Sequence, residues 1–149
     1  MKPYKLPKIK LSYISENNLE YEPVRQSNEI ARIFRDFWDP EEIEFRESFK
    51  VAYLNRKGKV LGVQTISEGG TAECPIDAKL IYMGALLSNA HSLFIAHNHP
   101  SGNLQPSLQD DVLTKEIKNG ADTLKLKLLD HIIITKDGYY SYMDHGKMQ

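Results

Sequence analysis

A chain of 149 residues has room for one domain with its own core and little room for a second. Its 19 basic and 20 acidic residues nearly cancel, which argues against the strongly positive surface of a dedicated nucleic-acid binder. No apolar run reaches the roughly 20 residues of a membrane-spanning helix, and Cys74, the single cysteine, excludes an intrachain disulfide framework and a cysteine-based zinc cluster.

Residues 1–26 carry Pro3, Pro7 and Pro23 without a helical period and are expected to form a tail, with room for a short edge strand near KIKLSYI. The opening MKPYKLPKIK has lysines able to touch an acidic partner but no apolar stretch of a signal peptide, so a cytoplasmic location is expected. Residues 27–149 are expected to form the single domain. From Ser27 as N-cap, Ile30, Ile33, Phe34 and Phe37 recur at helical spacing until Trp38, Asp39 and Pro40 stop the pattern.

The stretch FKVAYLNRKGKVLGVQTI reads as a β-hairpin turning at Asn55 to Gly58, with a second turn at Gly69 and Gly70. A short strand, with Cys74 as a small apolar member, is expected over Thr71 to Pro75. Asp77 then caps a helix whose apolar face is Leu80, Ile81, Gly84, Leu86 and Leu87, running to Asn89. A buried strand follows over Ser92 to His97. The segment LQDDVLTKEIKNG has Leu108, Val112, Leu113 and Ile117 on a helical stripe and a stop at Asn119 and Gly120. Last, LLDHIIIT and YYSYM read as strands around the turn KDG. No internal repeat appears, and the order of elements predicts an α/β (α+β) domain with helices on the faces of a mixed sheet.

The chemistry concentrates in HNHPSGNLQPSLQD. On a strand, residues two apart face the same side, so His97 and His99 can present imidazoles to one ion while Asn98 points away. Pro100 helps end the strand, and Ser101 with Gly102 permits a turn that brings later residues back over the histidines. Asp110 would then stand in the first helical turn and complete a three-ligand set suited to zinc. Three protein ligands leave the open position that a catalytic zinc uses to activate water near neutral pH. Taken singly, these residues have plainer readings. Ser107 and Asp110 form an S-x-x-D capping box, and His97 is a polar residue at a strand end. Taken together, H-x-H-P with Asp110 eleven residues after His99 favours the metal site. Asp130 and His131 read as a hydrogen-bonded structural pair, and Asn98 and Ser101 as shapers of the turn; His91 and His145 have no partner pattern.

These residues also carry a family resemblance. HNHPSGNLQPSLQD resembles the H-x-H-P and S-x-x-D motif of the JAB/MPN (JAMM) domain, and HNHPSG with LLDHIII and YYSYMDHG resembles its RadC branch, over about residues 28 to 146. The resemblance implies a cytidine-deaminase-like fold with a curved mixed sheet, a zinc ion, and peptidase or isopeptidase chemistry as in deubiquitinating members. It places His97, His99 and Asp110 as zinc ligands and Ser107 as the residue assisting the tetrahedral intermediate. It also implies a glutamate general base near an upstream strand. Glu47 matches through the family's E-x-F pattern, with Glu41, Glu42 and Glu44 close by as the competing readings.

Two departures stand out. Full-length members carry a helix-hairpin-helix type segment before this domain, which the proline-marked residues 1–26 are expected to be too few to form. Where the family commonly has an Arg-Glu pair opening the helix before the histidine strand, this chain has Asp77, Ala78 and Lys79. Three function classes compete: a zinc-dependent hydrolase of a peptide or protein substrate, a binding module associated with DNA repair, and a zinc nuclease. The complete ligand set with a candidate base favours the first, and the near-neutral charge stands against DNA as the partner. Substrate identity and oligomeric state are not legible, although a long edge strand such as VLGVQTI could pair with a second chain.

Overall fold

The alternation of side chains along the strands decides how the layers form. In the computed structural model, which describes residues 7, 9, 10, 13, 14, 22–69 and 75–149, the elements are α1 (Ser27–Asp36), β1 (Ser48–Leu54), β2 (Val60–Glu68), α2 (Ala78–Leu87), β3 (Ser92–Asn98), α3 (Leu108–Thr123), β4 (Lys127–Ile134) and β5 (Tyr139–Ser141). On β1, Phe49, Val51 and Tyr53 enter one core while Ala52 and Leu54 enter another. On β3, Leu93 and Ile95 take the first side, and Phe94 and Ala96 the second. The sheet is therefore buried on both faces, with α1 and Trp38 on one and α2 and α3 on the other. Among the described residues no helix is long and apolar enough to cross a membrane.

The five strands lie in the order β2-β1-β3-β4-β5. Every neighbouring pair is antiparallel except β3 and β4. That parallel pair requires a crossover, and α3 supplies it. The chain leaves β3, turns, and runs back along α3, so the first turn of α3 stands over the end of β3. The mixed sheet flanked by helices matches the expected fold. The hairpin is also as expected: Asn55 N donates to Lys59 O at 3.0 Å, and Gly58 supplies the positive φ of 82° that the turn requires. As anticipated for VLGVQTI, β2 is an edge strand among the described residues.

Several local expectations are corrected. Gln26, not Ser27, is the N-cap of α1, and Glu29 reaches back to the Arg25 and Gln26 amides at 2.6 and 2.9 Å. Ser27 Oγ instead donates to Asp144 Oδ2 at 2.6 Å. Trp38, expected to end the helix, is buried, whereas Phe37 is 42% exposed. On α2 only Ile81 and Ala85 are buried, because the face centred on them meets β1; Leu80, Leu86 and Leu87 are exposed. On α3 the buried stripe is Thr114, Ile117 and Ala121, while Leu108 and Val112 are 81% and 58% exposed. The helix also runs through Asn119 and Gly120 to Thr123, since Gly120 is needed for the close approach of Tyr82, whose hydroxyl donates to Ile117 O at 3.1 Å. β3 extends one residue further than expected, to Asn98. Of the strand expected over Thr71 to Pro75, positions 71–74, with Cys74, lie outside the described residues, as do positions 8, 11 and 12 of the one expected near KIKLSYI.

Gly84 offers a check on the packing of α2 against β1. A Cβ there would meet Tyr53 Oη at 2.3 Å and Gln64 Oε1 at 2.5 Å, and that hydroxyl is committed to Ile81 O and Gln64. Although alanine favours a helix over glycine by about 1 kcal/mol, Gly84→Ala is expected to destabilise the protein by about 1–3 kcal/mol in urea unfolding. A gain in stability would contradict this packing.

Candidate functional site

Strand pairing and the crossover together gather the site. His97 is the penultimate residue of β3 and 2% exposed. His99 lies just beyond the strand, where its amide still donates to Ile134 O at 3.0 Å and continues the ladder toward β4. Its carbonyl accepts from Gly102 N at 3.0 Å, and Gly102 takes the φ of 83° that closes this turn. The chain then reaches Ser107, which caps α3.

The capping box exists as read from the sequence. Ser107 Oγ accepts from Asp110 N at 3.1 Å, and Ser107 N donates to Asp110 Oδ2 at 2.8 Å. The same carboxylate faces both histidines. His97 Nε2 is 3.3 Å from Asp110 Oδ1, and His99 Nε2 is 3.4 Å from Asp110 Oδ2. The two Nε2 atoms are 2.9 Å apart. One ligand atom from each of His97, His99 and Asp110 thus lies within 4.8 Å of the others, an arrangement that could hold a metal ion. Capping and ligation are therefore compatible, because the cap fixes the carboxylate that the histidines face.

The electrostatics follow from this crowding. Burial opposes ionisation of Asp110, but its close pairing with the His97 and His99 rings outweighs this and holds its carboxyl well below the usual range. For His99, burial favours the neutral ring, yet the Asp110 hydrogen bond, the Asn103 carbonyl and the charges of Asp110 and Glu47 raise its pKa. His131 is fully buried, and burial pushes it well below the ordinary value.

Glu47 is half-buried just before β1. Phe49 pairs with His97 in antiparallel register, so continuing that register by two residues sets Glu47 opposite His99 on the same side. The neighbouring glutamates are engaged elsewhere: Glu42 with Arg46 at 2.6 Å and Glu44 with Lys136 at 3.1 Å, while Glu41 is exposed. Asn98, expected to shape the histidine turn, instead pins the segment that carries Glu47. Its Oδ1 accepts from Ser48 N at 2.7 Å, and its Nδ2 donates to Ile43 O and Arg46 O at 2.8 and 2.9 Å.

Asp130 and His131 are hydrogen-bonded as expected, but through the backbone: Asp130 Oδ1 accepts from the His131 amide at 2.7 Å, and the His131 ring points elsewhere. Asp130 turns to the other face, where it also accepts from Ser141 Oγ and from the backbone amide of Met143. The His131 ring joins the site: Nε2 is 2.7 Å from His97 Nδ1, and Nδ1 is 2.6 Å from Thr114 Oγ1. Neither His131 nor Thr114 was legible as a site residue, since only the β3–β4 pairing and the α3 crossover bring them to His97. The available signal was modest: His131 interrupts an apolar strand, and Thr114 stands one helical turn after Asp110. His91 and His145 stay outside; His145 stacks on Tyr140 at 4.0 Å.

Residues 24–147 match the family model of the RadC-like JAB domain. A UPF0758 protein of Flavobacterium johnsoniae is 43% identical over 100 residues, covering 67% of this chain and 44% of that protein. Another from Porphyromonas gingivalis is 40% identical over 102 residues, covering 68% and 45%. One from Streptococcus sanguinis is 35% identical over 131 residues, covering 87% and 56%. The chain spans about half the length of these curated relatives, whose shared name states no activity.

The ionic arrangement predicts a titration. In metal-free protein the His99 ring should titrate above the ordinary value of about 6.5, and Asp110→Asn should lower that midpoint, both followed by ring-proton NMR. The raised pKa means that His99 stabilises the fold fully below about pH 6.5 and that this contribution is lost as pH rises through the folded-state value. A midpoint unchanged by Asp110→Asn would contradict the pairing.

Proposed function

The chain belongs to the RadC-like JAB domain family, and from that premise we propose that it is a zinc-dependent hydrolase of the JAMM type that cleaves a peptide or isopeptide (amide) bond. The observation that carries this reading is the convergence of His97 Nε2, His99 Nε2 and an Asp110 oxygen within 4.8 Å. The donor set fits the ion. His99 Nδ1 lies 2.6 Å from the Asn103 carbonyl, which can only accept, so Nδ1 carries the proton and Nε2 offers its lone pair toward His97 and Asp110. Two imidazole nitrogens and one carboxylate form a catalytic type of zinc set, with a position left for water or substrate.

When bound, zinc would polarise a substrate carbonyl and lower the pKa of water to about 7. The Glu47 carboxylate, in range of His99, takes the proton of the attacking water and later returns it to the leaving amine. Ser107 Oγ, which already accepts from Asp110 N, has its own proton without an acceptor among the described residues, and this proton is donated to the oxyanion as the carbonyl becomes tetrahedral. The Asp110 carboxylate is held by the cap in the orientation that the ligand set needs.

Elemental analysis and cleavage test the reading together. Wild-type protein is expected to retain about one zinc per chain, and His97→Ala and Asp110→Ala to lose it. Incubated with a peptide library and an isopeptide-linked library in ¹⁸O-water, the wild type should release products with one labelled oxygen at the new carboxyl terminus. Glu47→Gln should keep its zinc and cleave about 10²–10⁴-fold more slowly. Zinc bound without any labelled product would favour a binding module, and unchanged cleavage by Glu47→Gln would remove that residue from the mechanism.

A further inference from the structure

We propose that Thr114 and His131 are positioning residues that form a hydrogen-bond relay and fix the tautomer of His97, so that its Nε2 lone pair is directed at the metal position. The inference rests on the metal reading and deepens it.

The relay begins at a group whose role is not adjustable. Asp110 O is a helix carbonyl and can only accept, and Thr114 Oγ1 lies 2.6 Å from it, one turn further along α3. The threonine proton is committed there. Thr114 Oγ1 can then only accept from His131 Nδ1, also at 2.6 Å. His131 is 0% exposed, with its ring stacked on Tyr142 at 4.8 Å and edge-on to Phe49 at 6.0 Å. A ring so enclosed, with an uncharged partner at each nitrogen, is neutral and has a single N–H. Because that proton is on Nδ1, His131 Nε2 is an acceptor. It lies 2.7 Å from His97 Nδ1, which must therefore carry the proton. The remaining nitrogen of His97, Nε2, offers its lone pair beside His99 Nε2 and Asp110 Oδ1.

The two histidines reach the same tautomer by different means. His99 meets a carbonyl directly, at Asn103. His97 is too deeply buried in β3 to meet one and reaches a carbonyl through two intervening side chains. The path ends on Asp110 itself, whose carboxylate faces the ion position and whose backbone oxygen anchors the relay. Loss of the threonine hydroxyl would free His131 to place its proton on Nε2 and donate to His97 Nδ1. His97 would then carry its proton on Nε2, the nitrogen that should bind metal.

The test combines ring-nitrogen NMR of the metal-free protein with zinc titration against a chelator. In wild type, long-range proton–nitrogen correlations should show His97, His99 and His131 all protonated on Nδ1. Thr114→Val, which keeps the shape and removes the hydroxyl, should shift His97 toward the Nε2-protonated form and weaken zinc binding about 10- to 100-fold. Thr114→Ser should restore both readings, which mere packing at this position would not do. Nε2-protonated His97 in wild type, or zinc affinity unchanged in Thr114→Val, overturns the relay. The wild-type spectrum decides the question even where Thr114→Val does not fold. If the wild type takes up no zinc, the spectrum still decides the relay, and the metal reading is what fails.

Discussion

Three groups that present lone pairs, two imidazole nitrogens and a carboxylate, stand within 4.8 Å of one another at the end of β3. Electron-rich atoms so placed repel unless a cation lies among them. In metal-free protein burial opposes a proton on His99, but the Asp110 carboxylate and the Asn103 carbonyl favour one and raise its pKa; a divalent ion would meet the need more completely. Much of the surrounding structure can be understood as holding this arrangement against its own repulsion. The capping box fixes Asp110, the Gly102 turn returns the Asn103 carbonyl to His99, and the sheet holds His97.

The fold makes the site through one topological choice, the parallel pairing of β3 and β4 through α3. It places a helix N-terminus over a strand end, and it sets His131 beside His97 on the shared face of the sheet. The antiparallel pairing of β1 with β3 adds the third side, bringing Glu47 toward His99 from the opposite direction. Asn98 ties the two together. Facing away from the metal site, it satisfies backbone groups from Ile43 to Ser48 while its neighbours His97 and His99 form the ligand set. Leaving those buried groups without partners would cost about 1–3 kcal/mol each, so Asn98 is a structural requirement of the segment that bears the candidate base.

What could be read beforehand divides along the same lines. His97, His99, Ser107 and Asp110 were legible because strand alternation and helix capping are local rules, and local rules place these residues correctly once β3 and α3 are recognised. Trp38, Thr114 and His131 were not, since their roles depend on which elements pack together. The exposed Leu108 and Val112 show the converse error: helical periodicity identifies an apolar stripe, but the partner layer selects which residues it buries, and here it selects Thr114, Ile117 and Ala121. Gly120 shows a further limit. A glycine that ordinarily signals a helix end is retained inside α3 because Tyr82 packs where a side chain would stand.

The central claim concerns which atoms hold the ion, and X-ray absorption at the zinc edge of the loaded protein measures that directly. The account predicts a first shell made only of nitrogen and oxygen, with two imidazoles at about 2.0–2.1 Å and oxygen at about 2.0–2.2 Å, and one imidazole fewer in His99→Ala. A sulfur at about 2.3 Å, or a shell unchanged by His99→Ala, would contradict it.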